Sequence, residues 1–480
     1  MSKNLKAKTI NSLKWSTIEK FSSSIVQFSL GILIARLLTP ADYGLIGMLT
    51  IFIALSQAII DGGFSTALIQ KKEVSSREYS SVFFLNIILG IFFYILIFFS
   101  APFIAAFYNQ DELINITKVL GLNFIISSFS IIHLTYLTKN LDFKLQSKIS
   151  IITSLISGFL ALYFAYNGWG VWALVFQSIL KNILNTLFLW LLVQWKPSMI
   201  YSWISIKCLF PFGSRVMGSS ILNTLFDNLY YIIIGKFFST KELGFYTQAH
   251  KIQQFPVSFL TGIIQRVFLP SFSQIQDENQ RLISIYRKTI KLTAFIVFPI
   301  MLGLGAVAKP LILILLTEKW SAVIPMLQLM VIYGMFYPIH ALNLNLLNVK
   351  GRSDLFFRLE VFKKILIVIM LLITFQISIF AMIIGNIVVS FIAFFINTYY
   401  TEQLIRYNYW QQIKDFSLSL GLALVMAIIC YVITLHTINN YFSIFISALT
   451  GLIFYLGTAY YLKMPEYLEI KAIINKKNKL

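Results

Sequence analysis

"ARLLTPADYG" (35–44) closes one apolar stretch and "GKFFSTKELG" (235–244) closes another, two hundred residues later. The two agree position by position in character: Ala35 with Gly235, Arg36 with Lys236, Leu37 and Leu38 with Phe237 and Phe238, Thr39 with Ser239, Asp42 with Glu242, Gly44 with Gly244. A chain that writes one short corner twice is built from two copies of one unit.

Composition says what the unit is made of. Of 480 residues 58% are hydrophobic and only 12% charged, with mean hydropathy +0.78, so a water-soluble fold would lack the polar surface to cover itself. Apolar runs of about 20 residues, the length that crosses roughly 30 Å of hydrocarbon at about 1.5 Å per residue, recur along the whole chain. Stretches such as "FFLNIILGIFFYILIFF" (83–99) are continuously apolar, unlike the short alternating segments of a membrane β-barrel. The basic, polar start "MSKNLKAKTINSLKWS" has no cleavable apolar core with a small-residue exit site, so the first helix is expected to be retained. Cys208 and Cys430 carry neither metal-ligand nor disulfide spacing and are assigned to lipid-facing or packed helix surface.

The expected class is therefore an all-α integral membrane protein with about fourteen transmembrane helices, at 14–38, 43–68, 79–101, 113–137, 149–166, 170–193, 209–234, 243–268, 292–316, 322–346, 361–377, 379–400, 416–436 and 440–462. Both termini and the connections at 69–78, 138–148, 194–208, 269–291, 347–364 and 401–415 hold nearly all the Lys and Arg. The opposite side offers essentially Arg36, Lys236, Lys241, Lys309 and Lys319. The cationic bias of short loops places both termini in the cytoplasm. It also accounts for the formal charge of +20, spread over many turns against anionic headgroups, without a nucleic-acid partner.

Six spans to about residue 200 are followed by six to about 400, and an even number per unit keeps both units in one orientation: a parallel repeat. The expected organisation is an N-terminal six-helix bundle at 1–200, a second bundle at 201–410, and two extra transmembrane helices with a basic cytoplasmic tail at 411–480. "APFIAAFYNQDELI" (101–114) pairs loosely with "AKPLILILLTEKWS" (308–321), and "SIIHLTYL" (130–137) with "YPIHALNL" (337–344), which aligns His133 with His340. Two pseudo-symmetric bundles around a central cavity are the architecture that alternating access by rocking requires. Arg36 and Lys236 also have a local role, snorkelling to headgroups beside helix-capping Thr39 and Ser239, which does not conflict with the repeat.

Ionisable groups inside a span cost about 2.5 to 3.5 kcal/mol on insertion scales and so face protein or water. Arg215, Ser219, Asn223, Asp227 and Tyr231 recur every four residues, one polar stripe on the first helix of the second bundle. A shift of two hundred gives Glu19, Ser23 and Gln27 on the first helix of the first bundle, and both stripes are placed on cavity walls. Gln57 and Asp61, Lys118, Lys181 with Asn185, and His250, Lys251 and Gln254 before Pro256 complete the deep polar set. Arg215, Lys251, Lys181, Lys118, Asn223 and Gln254 suit an anionic ligand such as a diphosphate. Asp227, Asp61, Glu19, His133 and His340 are the candidates for ion coupling, the imidazoles because they titrate in the physiological range. Each has a plainer reading, an interhelical hydrogen bond or a snorkelling lysine. Pro256, Pro299 and Pro338 free backbone carbonyls within spans and permit kinks or hinges. No catalytic group and no metal site is expected.

Several segments carry a family resemblance: "ARLLTPADYGLIGML" (35–49), "GGFSTALIQKKEVSSREYSSVFFLN" (62–86), "FYNQDELINITKVLGLNFIISS" (107–128), "NGWGVWALV" (167–175) and "RVFLPSFSQIQ" (266–276). Together they resemble the Wzx-type polysaccharide transporters, O-antigen and exopolysaccharide flippases of the multidrug/oligosaccharidyl-lipid/polysaccharide exporter (MOP) superfamily, and especially the colanic and teichuronic acid exporter group. They span most of residues 10 to 280, and the match weakens after about 360. The resemblance implies two six-helix bundles, often two further helices, and a positively charged central cavity. It implies a bacterial inner-membrane flippase carrying undecaprenyl-diphosphate-linked oligosaccharide from the cytoplasmic to the periplasmic leaflet for surface polysaccharide or lipopolysaccharide biosynthesis. It implies no cofactor, a proton or sodium gradient as energy source in some members, and membrane lipids and other polysaccharide assembly proteins as partners.

Two other classes compete. A multidrug or cation antiporter of the same superfamily would favour an acidic cavity, whereas Lys118, Lys181, Arg215 and Lys251 outnumber Asp61 and Asp227 among the deep positions. A membrane glycan polymerase, ligase or glycosyltransferase would need acidic catalytic groups or a sizeable external loop. The external acids amount to little more than Asp42, Asp111, Glu112, Glu242 and Glu318, so no enzyme is expected.

Overall fold

The computed structural model describes residues 22–273 and 275–477, apart from the side chains of residues 61, 62, 263, 266–271, 273 and 473–477. Among the described residues the ordered elements are all helical. They are α1 Ser22–Leu37, α2 Pro40–Gln70, α3 Ser76–Tyr108, α4 Glu112–Ser128, α5 Ile131–Lys139, α6 Phe143–Tyr166, α7 Val171–Leu192, α8 Trp203–Asp227, α9 Leu229–Phe237 and α10 Thr240–Ser273. There follow α11 Asn279–Ala306, α12 Ala308–Leu316, α13 Val323–Val349, α14 Ser353–Thr374, α15 Ile379–Ile405, α16 Tyr409–His436, α17 Asn440–Tyr461 and α18 Pro465–Lys477.

Each expected span falls on one of these helices or on a broken pair, the first on its described part. Nine of the described helices are long and apolar enough to cross a membrane, and α4 with α5, bent by 42° at their junction, passes the same test as a pair. The remaining long helices, α8, α10 and α14, are less apolar and carry charge within them: Arg215 and Asp227, Lys251, and Glu360 with Lys363. The chain is a multi-pass membrane protein.

Three spans read as continuous are interrupted, among them 209–234, which breaks at Asn228 between α8 and α9. α4 ends at Ser128 and α5 restarts at Ile131; α11 ends at Ala306, with Val307 alone between it and α12. α14 begins at Ser353, inside the expected 347–364 connection, so Arg358, Glu360, Lys363 and Lys364 are helical. The Lys363 ammonium pairs with Glu360 one turn away, which offsets the charge of both and lets the helix continue through them.

By backbone contacts the chain forms two compact units, residues 1–247 and 248–480. In the first, α2 is the hub, touching α3, α4, α5, α7, α8 and α9. Its closest approach is to α8, where a Cβ on Gly63 would lie 1.5 Å from the Gly213 carbonyl oxygen, so only glycine lets the two backbones meet. This contact draws α8 into the first unit, whereas the sequence repeat begins near residue 201. In the second unit α11 packs on α13 and α16, α13 on α15, α14 on α15, and α16 on α17.

The duplicated corner is a duplicated helix start. Thr39 caps α2: Asp42 N–H donates to Thr39 Oγ1 at 3.3 Å, and Asp42 Oδ2 accepts from the Thr39 N–H at 2.8 Å. At α10 the same reciprocal pair recurs, Glu242 N–H to Ser239 Oγ at 3.2 Å and Ser239 N–H to Glu242 Oε2 at 3.0 Å. Each box satisfies backbone donors that a helix start leaves open. At the other end of α2 the Lys139 ammonium donates to the Leu68 carbonyl at 2.7 Å, a cation on the negative end of the helix dipole.

Candidate functional site

On α8 the stripe is real as far as Asp227. Arg215, Ser219, Asn223 and Asp227 are all exposed, while Ile206, Leu209 and Gly213 are buried on the packed side. The stripe does not reach Tyr231. The helix breaks at Asn228, and α9 turns the Tyr231 ring inward, 9% exposed and edge-on to Tyr246 at 5.6 Å. The equivalent stripe on α1 is not uniformly open either: Ser23 is buried and shares a 3.2 Å hydrogen bond with Ser150 on α6, whereas Gln27 is exposed. Glu19 and the Asp61 side chain lie outside the described residues.

The lysines differ in surroundings. Lys118 on α4 holds its ammonium over the Phe98 ring, 4.7 Å from the centroid, and is half-buried. Lys181 on α7 is half-buried beside a hydrogen-bonded seam in which Asn182 donates to Asn123 Oδ1 at 2.7 Å and Asn123 to Ser178 Oγ at 3.1 Å. In the second unit Lys251 is exposed on α10, with His250 and Gln254 half-buried beside it. Gln253 faces the core, packed so tightly on Gly334 that a Cβ there would lie 2.0 Å from its Nε2.

His133 and His340, aligned by the repeat, occupy unlike places. His133 is fully buried in an aromatic box, its ring 5.1 Å from Trp190, 5.1 Å from Trp195 and 6.3 Å from Phe83, and neither ring nitrogen has a hydrogen-bond partner. His340 places Nε2 3.0 Å from Ser390 Oγ and Nδ1 3.5 Å from Asn397 Nδ2. From there a buried polar chain continues: the Thr401 hydroxyl lies 3.1 Å from the Asn397 carbonyl and 3.2 Å from Asn343 Oδ1, which also accepts from Tyr286 and from Gln412. Such linked groups reinforce one another in a low dielectric.

The sequence reading missed this chain, although Ser390, Asn397 and Thr401 are spaced by seven and four on one face of a largely apolar helix. It also missed Asp415 on α16, held by Arg287 through two hydrogen bonds of 2.8 and 2.9 Å, by Lys291 at 3.3 Å and by the Tyr407 hydroxyl at 2.7 Å. The carboxylates of Asp42 and Glu242, weighed as external acids, are engaged in the two capping boxes.

Residues 33–325, more than half of the chain, match the family model described as "Polysaccharide biosynthesis protein". The chain belongs to that family. This bears out the resemblance read from the segments at 35–49, 62–86 and 107–128. The family member is 29% identical over 347 residues to the teichuronic acid biosynthesis protein TuaB of Bacillus subtilis, covering 72% of each chain. It is 28% identical over 377 residues to the lipopolysaccharide biosynthesis protein WzxC of Escherichia coli, covering 76% of this chain and 75% of that one. In fold it resembles the lipid II flippase MurJ in an inward closed conformation, with TM-score 0.79 at 15% identity over 93% of this chain and 98% of that one. An inward-facing multidrug resistance MATE family transporter of the MOP superfamily gives TM-score 0.64 at 16% identity over 80% and 96%. At such identities these two likenesses speak to fold, and the all-helical MurJ/MATE-like architecture is the one the sequence leads to.

Proposed function

We propose that this protein is a flippase that carries an undecaprenyl-diphosphate-linked oligosaccharide from the cytoplasmic to the periplasmic leaflet of the bacterial inner membrane, with both termini cytoplasmic. The supporting observation is the α8 stripe: four polar side chains, one of them a guanidinium, stand exposed along a helix that must be in the membrane. A charged group at that depth needs water or protein around it. A hydrated path beside Arg215 gives a sugar-diphosphate head what hydrocarbon denies it, while the polyprenyl tail stays in lipid. Arg215 and Lys251 supply charge-assisted hydrogen bonds to the diphosphate, and Asn223 and Gln254 hydrogen bonds to sugar hydroxyls. No bond is made or broken in this cycle, so the protein needs no catalytic group.

The printed names of the relatives, biosynthesis proteins for teichuronic acid and lipopolysaccharide, agree with a surface-glycan cargo. Return of the empty carrier is driven in this reading by a proton or sodium gradient, with Asp227 and His340 as the groups that sense it. The test is deletion of the gene in its host. Lipid-linked glycan should accumulate on the cytoplasmic face and clear on re-expression of the wild type, and clearance without re-expression would end the proposal.

A further inference from the structure

Lys181 stands halfway along α7, about 15 Å from either end of the span at about 1.5 Å per residue, farther than a lysine side chain snorkels. Gln177 and Asn185 lie one turn to either side of it, so the three form a stripe at four-residue spacing. A second polar stripe, one residue on, is engaged with α4. Ser178 Oγ accepts from Asn123 at 3.1 Å, Asn182 donates to Asn123 Oδ1 at 2.7 Å, and the Thr186 hydroxyl and Trp190 indole donate to the Ile126 and Phe129 carbonyls at 3.2 and 3.0 Å. Ile183 and Leu187, two residues on from Lys181 and Asn185, point the opposite way and are exposed at 45% and 49%, as lipid-facing side chains are.

Gln177, Lys181 and Asn185 have no hydrogen-bond or ion-pair partner among the described residues. All three are half-buried, yet none of their polar atoms is closed off, so they line a space on the inner side of α7, within the first compact unit. Carboxylates are scarce around it. Of the helices that pack on α7, α5 and α6 have no Asp or Glu, and α4 has only Glu112, in its first turn. α2 has Asp42, held in its capping box, and Asp61, whose side chain lies outside the described ones. An ammonium this far from the headgroups needs water and a counter-charge. The amides one turn above and below it can each turn an N–H toward the same point, so every group of the stripe can act as a donor there.

We propose that Gln177, Lys181 and Asn185 form an anion site inside the first unit, separate from the α8 stripe, that takes a singly charged oxyanion. One ammonium balances one negative charge, and the amide N–H groups of Gln177 and Asn185 complete the hydrogen bonds of its oxygens. The same chemistry can arrive free from solution, as a carboxylate, or on the phosphodiester of a lipid. The site rests on no part of the transport reading, and its readout is the local field and its occupancy.

The test is thiol labelling of the full-length protein, Cys208→Ser and Cys430→Ser, reconstituted in phosphatidylcholine vesicles, with an anionic and a cationic methanethiosulfonate of similar size. Gln177→Cys and Asn185→Cys, which keep Lys181, should react about tenfold faster with the anionic reagent, as a nearby unpaired ammonium predicts. Lys181→Met should remove that preference, and Lys181→Gln serves where the Met variant does not fold. Slower labelling in acetate identifies a free anion as occupant, and slower labelling only with phosphatidylglycerol in the bilayer identifies a lipid; either supports the site where Lys181→Met or Lys181→Gln abolishes the effect. Equal rates with the two reagents overturn the proposal, as does a preference that survives loss of Lys181. So do failure of both cysteines to react, which would put the stripe in lipid, and labelling that neither anion slows.

Discussion

Gly44 on α2 lies against the backbone of Thr240 so closely that a Cβ would sit 1.8 Å from the Thr240 carbonyl oxygen. The relation is reciprocal. A Cβ on Gly244 would sit 1.8 Å from the carbonyl oxygen of Pro40, the first residue of α2. The two copies of the corner touch each other, each presenting its glycine to the other's first turn.

Gly44→Ala and Gly244→Ala should therefore each destabilise the protein by about 1 to 3 kcal/mol or more, the range for overpacking a contact whose neighbour is backbone and cannot rotate away. Gly218→Ala on α8, where nothing lies within 4 Å, should cost nothing and on propensity gain slightly. Thermal unfolding in detergent compares the three. Equal melting temperatures would show that the corners are not in contact.

Water along the α8 stripe is checked by thiol labelling in a Cys208→Ser, Cys430→Ser background. Arg215→Cys and Asn223→Cys should react with a membrane-impermeant maleimide, and Leu222→Cys, exposed at 52% on another face, should be protected by acyl chains. The reverse pattern would put the stripe in lipid. Arg215→Ala should also reduce glycan export roughly ten- to a hundredfold, the loss expected for one charged hydrogen bond.

The two aligned histidines should respond differently to substitution. His133 packs among rings with no polar partner, so His133→Phe should leave export close to wild type. His340→Phe should impair it, because it removes the imidazole that joins Ser390 to Asn397. Export assays of the two variants decide the matter, and loss of function in His133→Phe with normal expression would reverse the assignment.

How far the sequence could be read depended on the range of the interaction. The spans were legible because lipid imposes a length and an apolarity on each one separately. The α8 stripe was legible because a four-residue spacing is local, and it failed at Tyr231 because the break at Asn228 depends on how α9 packs. The start of α14 was misplaced because Glu360 and Lys363 look like a loop until they are seen to neutralise each other. The chain from His340 to Gln412 joins helices far apart in sequence, so spacing along any one helix shows only fragments of it.

Asp415 sits at the centre of an asymmetric cluster, and the asymmetry can be measured. Its side chain is 5% exposed, against 42% for Arg287 and 33% for Lys291. Arg287→Ala leaves the carboxylate with Lys291 and the Tyr407 hydroxyl, and the open position of Arg287 lets water take over part of its role. Asp415→Asn keeps the shape but strands two cations and turns one acceptor oxygen into a donor facing them. Removing the buried partner of an ion pair is the expensive direction, because what remains is uncompensated charge of one sign. Asp415→Asn should thus lower the unfolding temperature clearly more than Arg287→Ala. The double variant Asp415→Asn, Arg287→Ala should be less destabilised than the sum of the two, since the second change removes one of the stranded charges. Additive losses would mean that Arg287 and Asp415 do not act on each other.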